Sequence, residues 1–229
     1  MERGATPLSC RRAPRFNSQS GAVRSWLLNG ATVTSTLELS WRCDAASGCS
    51  AAWRPVGTGD FNGDGRADLL WHNAQTGELR AWLLNGTTVT GAQQLSWLCG
   101  PWDGCSAAWR AVSAGDFNKD GLTDVLWHNA QSGQLEAWIL NGAGTVISSQ
   151  ALSGTCDAAT GCSAQWKVSG SGDFNWDGRL DLLWYNVATG QVGAWLLDGT
   201  TVLQAMGLAW QCSPASGCAS QWKLVGKAE

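Results

Sequence analysis

The sequence predicts an all-β chain built from four-stranded antiparallel blades stacked face to face as a β-propeller. Three observations predict it. A nine-residue loop at 60–68 returns at 116–124 and 173–181, at spacings of 56 and 57 residues. Short strand signals punctuated by turn residues, with nothing helical between them, fill each interval. Those strands are apolar on both sides, as sheets buried on both faces require.

The elements follow in order within a unit. Residues 53–59 form a short apolar stretch before the loop, Ala67 to Asn73 a second strand, Glu78 to Leu84 a third and Thr87 to Trp97 a fourth. Thr76-Gly77 and Asn85-Gly86 mark the turns, the latter a strong hairpin signal because both of its positions require positive φ. In the third strand Leu79, Ala81 and Leu83 lie on one side and Trp82 and Leu84 on the other. A linear β-solenoid is the alternative architecture, but its coils are shorter than these units.

The repeat sets the domain map. Residues 1–16 are expected to be an irregular segment without strand pattern, and 17–52 a partial blade. Complete blades are expected at 53–108, 109–165 and 166–221, followed by a closing strand at 222–229. Asn17 to Gly30 repeats Asn73 to Gly86, and Trp222 to Gly226 restarts a unit. The expected ring therefore has three complete blades plus a fourth built from both termini, unless a homo-oligomer completes it between chains. Flanking pieces of this kind also fit a segment of a longer array.

Composition narrows the function classes. The chain has 229 residues, 44% of them hydrophobic and only 14% charged, with a formal net charge of −3. Nine of the 18 acidic residues lie in the three loops, so three divalent ions would move that charge to +3. The acidity is mostly ligand, and neither a nucleic-acid partner nor membrane insertion is expected. Sixteen tryptophans sit mostly at fixed repeat positions, such as Trp53, Trp109, Trp166 and Trp222 or Trp26, Trp82, Trp138 and Trp195. Such rings fill wedges between blades, and their faces also stack on sugars.

Nine cysteines resolve into four Cys-x5-Cys pairs plus Cys10: Cys43 with Cys49, Cys99 with Cys105, Cys156 with Cys162, and Cys212 with Cys218. Zinc would need convergent ligands, yet the only histidines, His72 and His128, lie on strands elsewhere in the unit. Disulfides are expected, which places the mature chain in a secreted, extracellular or periplasmic compartment. No leader pattern stands at the start of the sequence, so the secretory signal is expected upstream of it.

The loops read as cation cages. Side-chain oxygens stand at positions 1, 3, 5 and 9: Asp60, Asn62, Asp64 and Asp68; Asp116, Asn118, Asp120 and Asp124; Asp173, Asn175, Asp177 and Asp181. Position 7 would add a backbone carbonyl from Arg66, Leu122 or Arg179. All donors are hard oxygens, which selects calcium, and about three structural ions are expected. The loop opens like an EF-hand, but position 12 holds Trp71, Trp127 and Trp184 where an EF-hand needs Glu.

The string Gly-Asp-Phe-Asn-x-Asp-Gly-x-x-Asp-[Leu/Val]-Leu-Trp, at 59–71, 115–127 and 172–184, resembles the FG-GAP or VCBS-type repeat. That repeat occurs in secreted bacterial proteins and is related to the β-propeller of integrin α subunits. The resemblance implies calcium in outward blade loops and roles in adhesion or ligand recognition. It also implies seven blades in many members, a count that this chain does not reach.

The expected function is a secreted, calcium-stabilised binding module for a glycan or an extracellular protein, acting through Trp-rich surfaces between blades. Trp71, His72 and Asn73, with Trp127, His128 and Asn129, and Trp184, Tyr185 and Asn186, are the candidate ligand-binding residues. No catalytic residues are assigned, because no Gly-x-Ser-x-Gly elbow, His-Glu-x-x-His or P-loop is present. A hydrolase of glycans or esters with a blade-top site, or a purely structural or adhesive repeat segment, are the alternatives.

Overall fold

A computed structural model describes residues 11–29, 32–44, 49, 52–95, 108–154 and 165–208. Among these residues fifteen strands form four antiparallel sheets. The first contains β1 (Arg11–Phe16), β2 (Ala22–Asn29) and β3 (Thr32–Arg42). The second contains β4 (Trp53–Gly59), β5 (Asp68–Asn73), β6 (Leu79–Asn85) and β7 (Thr88–Gln94). The third contains β8 (Trp109–Gly115), β9 (Asp124–Asn129), β10 (Leu135–Leu140) and β11 (Val146–Ala151). The fourth contains β12 (Trp166–Gly172), β13 (Asp181–Asn186), β14 (Val192–Asp198) and β15 (Thr201–Gly207). In each sheet the strands pair in chain order, the meander of a propeller blade.

Local chemistry fixes the turns. The Asn73 side chain accepts the N–H groups of Gln75 and Thr76, while Gly77, at φ 75°, closes the turn onto the Asn73 carbonyl. Asn17, Asn129 and Asn186 do the same for their sheets. These are Asx turns, a use of Asn that needs no ligand. The first strand of each four-stranded sheet carries an irregularity at the same place, between Pro55 and Gly57, Ala111 and Ser113, and Val168 and Gly170. The repeat therefore extends to the register of pairing.

The core lies between sheets. Val23 and Leu39 of the first sheet meet Trp53, Leu69, Trp71 and Trp82 of the second. Val56, Leu70, Leu79 and Ala81 of the second meet Val125, Trp127 and Trp138 of the third. Val112, Leu126, Leu135 and Ala137 of the third meet Leu182 and Trp184 of the fourth, with Trp166 and Trp195 half-buried beside them. At each of these three interfaces the tryptophan face of the later sheet meets an aliphatic face of the earlier one. All six residues of β5 and of β9 are buried, whereas β11 and β15 lie largely in solvent, so the fourth strands are the outer ones. The first strand β8 touches both β4 and β12, which places the first strands on the inner side.

One expectation needs correction. The segment expected to be irregular through residue 16 contains β1, in register with β2 from Arg11↔Leu28 to Phe16↔Val23. Its sequence lacks the apolar pattern of β5, but pairing to β2 satisfies its backbone without one. Phe16 lies edge-on to Trp71, ring centroids 5.1 Å apart, as His72 lies to Trp127 and His128 to Trp184. The closing strand expected at 222–229 lies outside the described residues.

Candidate metal loops

The three loops are built alike because each is folded around its first carboxylate. Asp60 Oδ1 accepts the N–H of Gly63 at 2.7 Å and of Asp64 at 3.2 Å, and Oδ2 accepts that of Gly65 at 2.7 Å. Asp116 and Asp173 hold the matching amides of Asp120 and Gly121, and of Asp177 and Gly178. Asn62 Oδ1 accepts the Asp64 N–H, and Asp64 Oδ1 accepts the Arg66 N–H. Such wrapping needs left-handed backbone, supplied by Gly65, Gly121 and Gly178 at φ near 80°.

Position 9 plays a different part. Asp68, Asp124 and Asp181 are fully buried. One oxygen of each accepts the N–H of Phe61, Phe117 or Phe174 inside the loop. The other accepts the N–H of Leu84, Leu140 or Leu197 on the third strand. This carboxylate ties the loop to its sheet. Burial raises the Asp68 carboxyl above its ordinary range against the two N–H bonds, with the Asp64 and Asp60 charges adding to the rise. The same causes push Asp124 to about 6. At Asp64 burial pulls upward, but the Arg66 N–H, the Asn62 amide and the Arg66 guanidinium outweigh it and lower the carboxyl.

Sequence reasoning missed the anchors. Phe61 and Phe117, at loop position 2, are 2% and 1% exposed and seat the loop in the core. The invariance of Phe across the three copies was the available signal. Neighbouring loops also meet. Lys119 of the second loop and Arg179 of the third pair with Asp198 at the end of β14, and together they hold that carboxyl below its ordinary range. A groove of about 410 Å³ runs between these two loops, past Asp116, Asp173 and Leu180.

The residues expected to bind a ligand are corrected by their burial. Trp71, Trp127 and Trp184 are at most 2% exposed, and His72, His128, Asn73, Asn129 and Asn186 are also buried; Tyr185 alone is half-buried. Each of the three indole Nε1 atoms is sealed without a hydrogen-bond acceptor, tolerated for a ring that fills the interface. These positions are core and turn rather than a ligand-facing surface.

Of the expected disulfides, Cys43–Cys49 is formed, with Cα atoms 4.9 Å apart. The other three pairings, Cys99 with Cys105, Cys156 with Cys162, and Cys212 with Cys218, lie outside the described residues, as does Cys10. The structure therefore bears on one of the four expected bridges.

The donor chemistry fits a hard cation. A carboxylate offers about four acceptor sites, and Asp60 Oδ2, Asp64 Oδ1 and each oxygen of Asp68 accept a single backbone N–H. Each retains a lone pair, as does Asn62 Oδ1. Among the described residues no three His, Cys, Asp or Glu side chains are drawn together as a metal-holding group. Asp64 Oδ2 accepts the Asn62 amide at 3.3 Å.

Repeated antiparallel sheets, three of the four carrying an oxygen-lined loop between their first two strands, define the class of propeller-type repeat proteins. Residues 60–127 and 116–184 match the FG-GAP-like repeat, together more than half of the chain. The chain belongs to the FG-GAP-like repeat family. No curated protein matches it.

Proposed function

We propose that the chain is a calcium-stapled binding or adhesion module that works outside the reducing cytosol. The threefold loop carries this reading: three equivalent sites in three equivalent sheets serve the scaffold, whereas a catalytic metal occupies one asymmetric pocket. Calcium would be held by Asp60, Asn62, Asp64 and Asp68 with the Arg66 carbonyl, and by the matching residues of the other loops. Its charge would offset the repulsion among three carboxylates per loop.

The Cys43–Cys49 disulfide supports secretion. The partner class is a glycan or an extracellular protein. The rings left for it are exposed ones: Trp176 is 83% and Trp41 40% exposed. Trp176 lies in the third loop, so calcium and recognition would be coupled through it. The test is retention of the chain on a glycan array with calcium and with chelator, repeated with Trp176→Ala. Retention lost under both changes supports the reading; retention indifferent to both contradicts it.

A further inference from the structure

What recurs in every unit serves the scaffold, so a function carried out once would lie where the units differ. Between the third and fourth sheets three charges meet: Lys119 at loop position 4, Arg179 at position 7 of the next loop, and Asp198 at the end of β14. The interface before it carries Gly63, Leu122 and Asn141 at those positions. Both interfaces set the loop of one sheet against the turn between the third and fourth strands of the next. A side chain on Gly142 would come within 3.8 Å of the Asn62 carbonyl oxygen, and one on Gly199 within 3.1 Å of that of Phe117. The geometry is shared, and the charges are not.

Stability accounts poorly for these charges. The side chains of Lys119, Arg179 and Asp198 are 51%, 37% and 42% exposed, and ion pairs so open to water contribute about 0–1 kcal/mol. Both cations converge on a single oxygen, Asp198 Oδ1. Arg179 stands 3.6 Å from that oxygen and 3.7 Å from Asp177 Oδ2, so its guanidinium fork donates no hydrogen bond among the described residues. The groove between the loops runs past both cations. Asp116 and Asp173, which also line it, are already engaged by loop N–H groups. Backbone strain points to the same place. Among the described residues the only non-glycine residues at positive φ are Lys119 and Trp176, the latter three positions before Arg179 with its ring in solvent.

We propose that this groove is a subsite for an acidic sugar, a uronic-acid residue whose carboxylate takes the place of Asp198 between Lys119 and Arg179 and whose ring stacks on Trp176. The inference rests on the glycan-binding reading above and names the ligand class. Lys119 and Arg179 already hold one carboxylate, that of Asp198, and a planar guanidinium matches both oxygens of such a group. The indole supplies a flat apolar face for a pyranose ring. An acidic peptide would satisfy the cations equally, but the solvated ring beside them favours the sugar. In the free chain Asp198 is then an internal competitor.

The test is titration calorimetry of the full chain, with calcium present, against hyaluronan oligosaccharides, which carry glucuronate, and against neutral chito-oligosaccharides. Hyaluronan is expected to bind several-fold more tightly. Lys119→Gln, Arg179→Gln, Trp176→Ala and raised salt should each weaken that binding several-fold, whereas Asp198→Asn should strengthen it several-fold. Arg24→Gln, which removes a charge from the first sheet, should leave it unchanged. Melting temperatures of all variants are measured alongside. A purely structural clamp predicts that Asp198→Asn weakens binding or leaves it unchanged. That result, equal binding of the two sugars, no binding of hyaluronan, or equal binding of a glutamate-rich peptide would overturn the proposal. The wider reading stands or falls separately, on calcium-dependent retention across the glycan array.

Discussion

Asp68, Asp124 and Asp181 each accept two backbone N–H groups in full burial, whereas Asp64, Asp120 and Asp177 stand at the loop surface. The two sets should answer differently to substitution. Asp124→Asn turns an amide NH₂ onto one of two buried donors and should cost about 1–3 kcal/mol even without calcium, and more with it because a charged ligand is also lost. Asp64→Ala, Asp120→Ala or Asp177→Ala should each cost stability chiefly when calcium is present. Chemical denaturation of both series in calcium and in chelator checks this. Titration adds a pH signature. The Asp124 carboxyl, at about 6 in the fold and near 4 in the unfolded chain, binds more protons when folded between those values. Its contribution to metal-free stability is therefore largest below pH 4 and is lost as pH rises towards 6. Calcium should oppose that loss, and melting curves from pH 4 to 7 with and without the ion read both trends. The oxygen set of the cage was legible in the sequence because ligand spacing is local. The dual bond of position 9 was not, since Leu84, Leu140 and Leu197 lie 16 residues away.

Strand positions were legible where period and turn residues agreed: β4 spans the expected 53–59, and β5 and β6 lie within a residue of expectation. β1 was not, because its sequence lacks the apolar pattern of β5 although it pairs in register with β2. The tryptophans and asparagines were legible as a repeat but ambiguous in purpose, since a ring that fills an interface and a ring that stacks on a sugar read alike. Burial decides for Trp127, and Trp127→Ala should cost about 3–5 kcal/mol. Position 4 of the loop carries strain in two of three elements. Lys119 and Trp176 adopt φ of 66° and 65°, where the first loop has Gly63. Trp176 is largely solvated, so Trp176→Gly should raise stability by about 1 kcal/mol. Thermal unfolding of that variant is the check.

The four sheets stack in chain order, each tryptophan face against the aliphatic face before it, and the loops of the second and third full sheets meet at Asp198. An ion that stiffens one loop would therefore act across an interface as well as within a sheet. The central claim is that three loops staple this stack with calcium, and thermal unfolding of the intact chain with calcium and then with chelator tests it most directly. The account predicts a clear rise in melting temperature with calcium, reduced by each of the three position-5 alanine variants. An unchanged melting temperature, or a rise indifferent to all three substitutions, would contradict it.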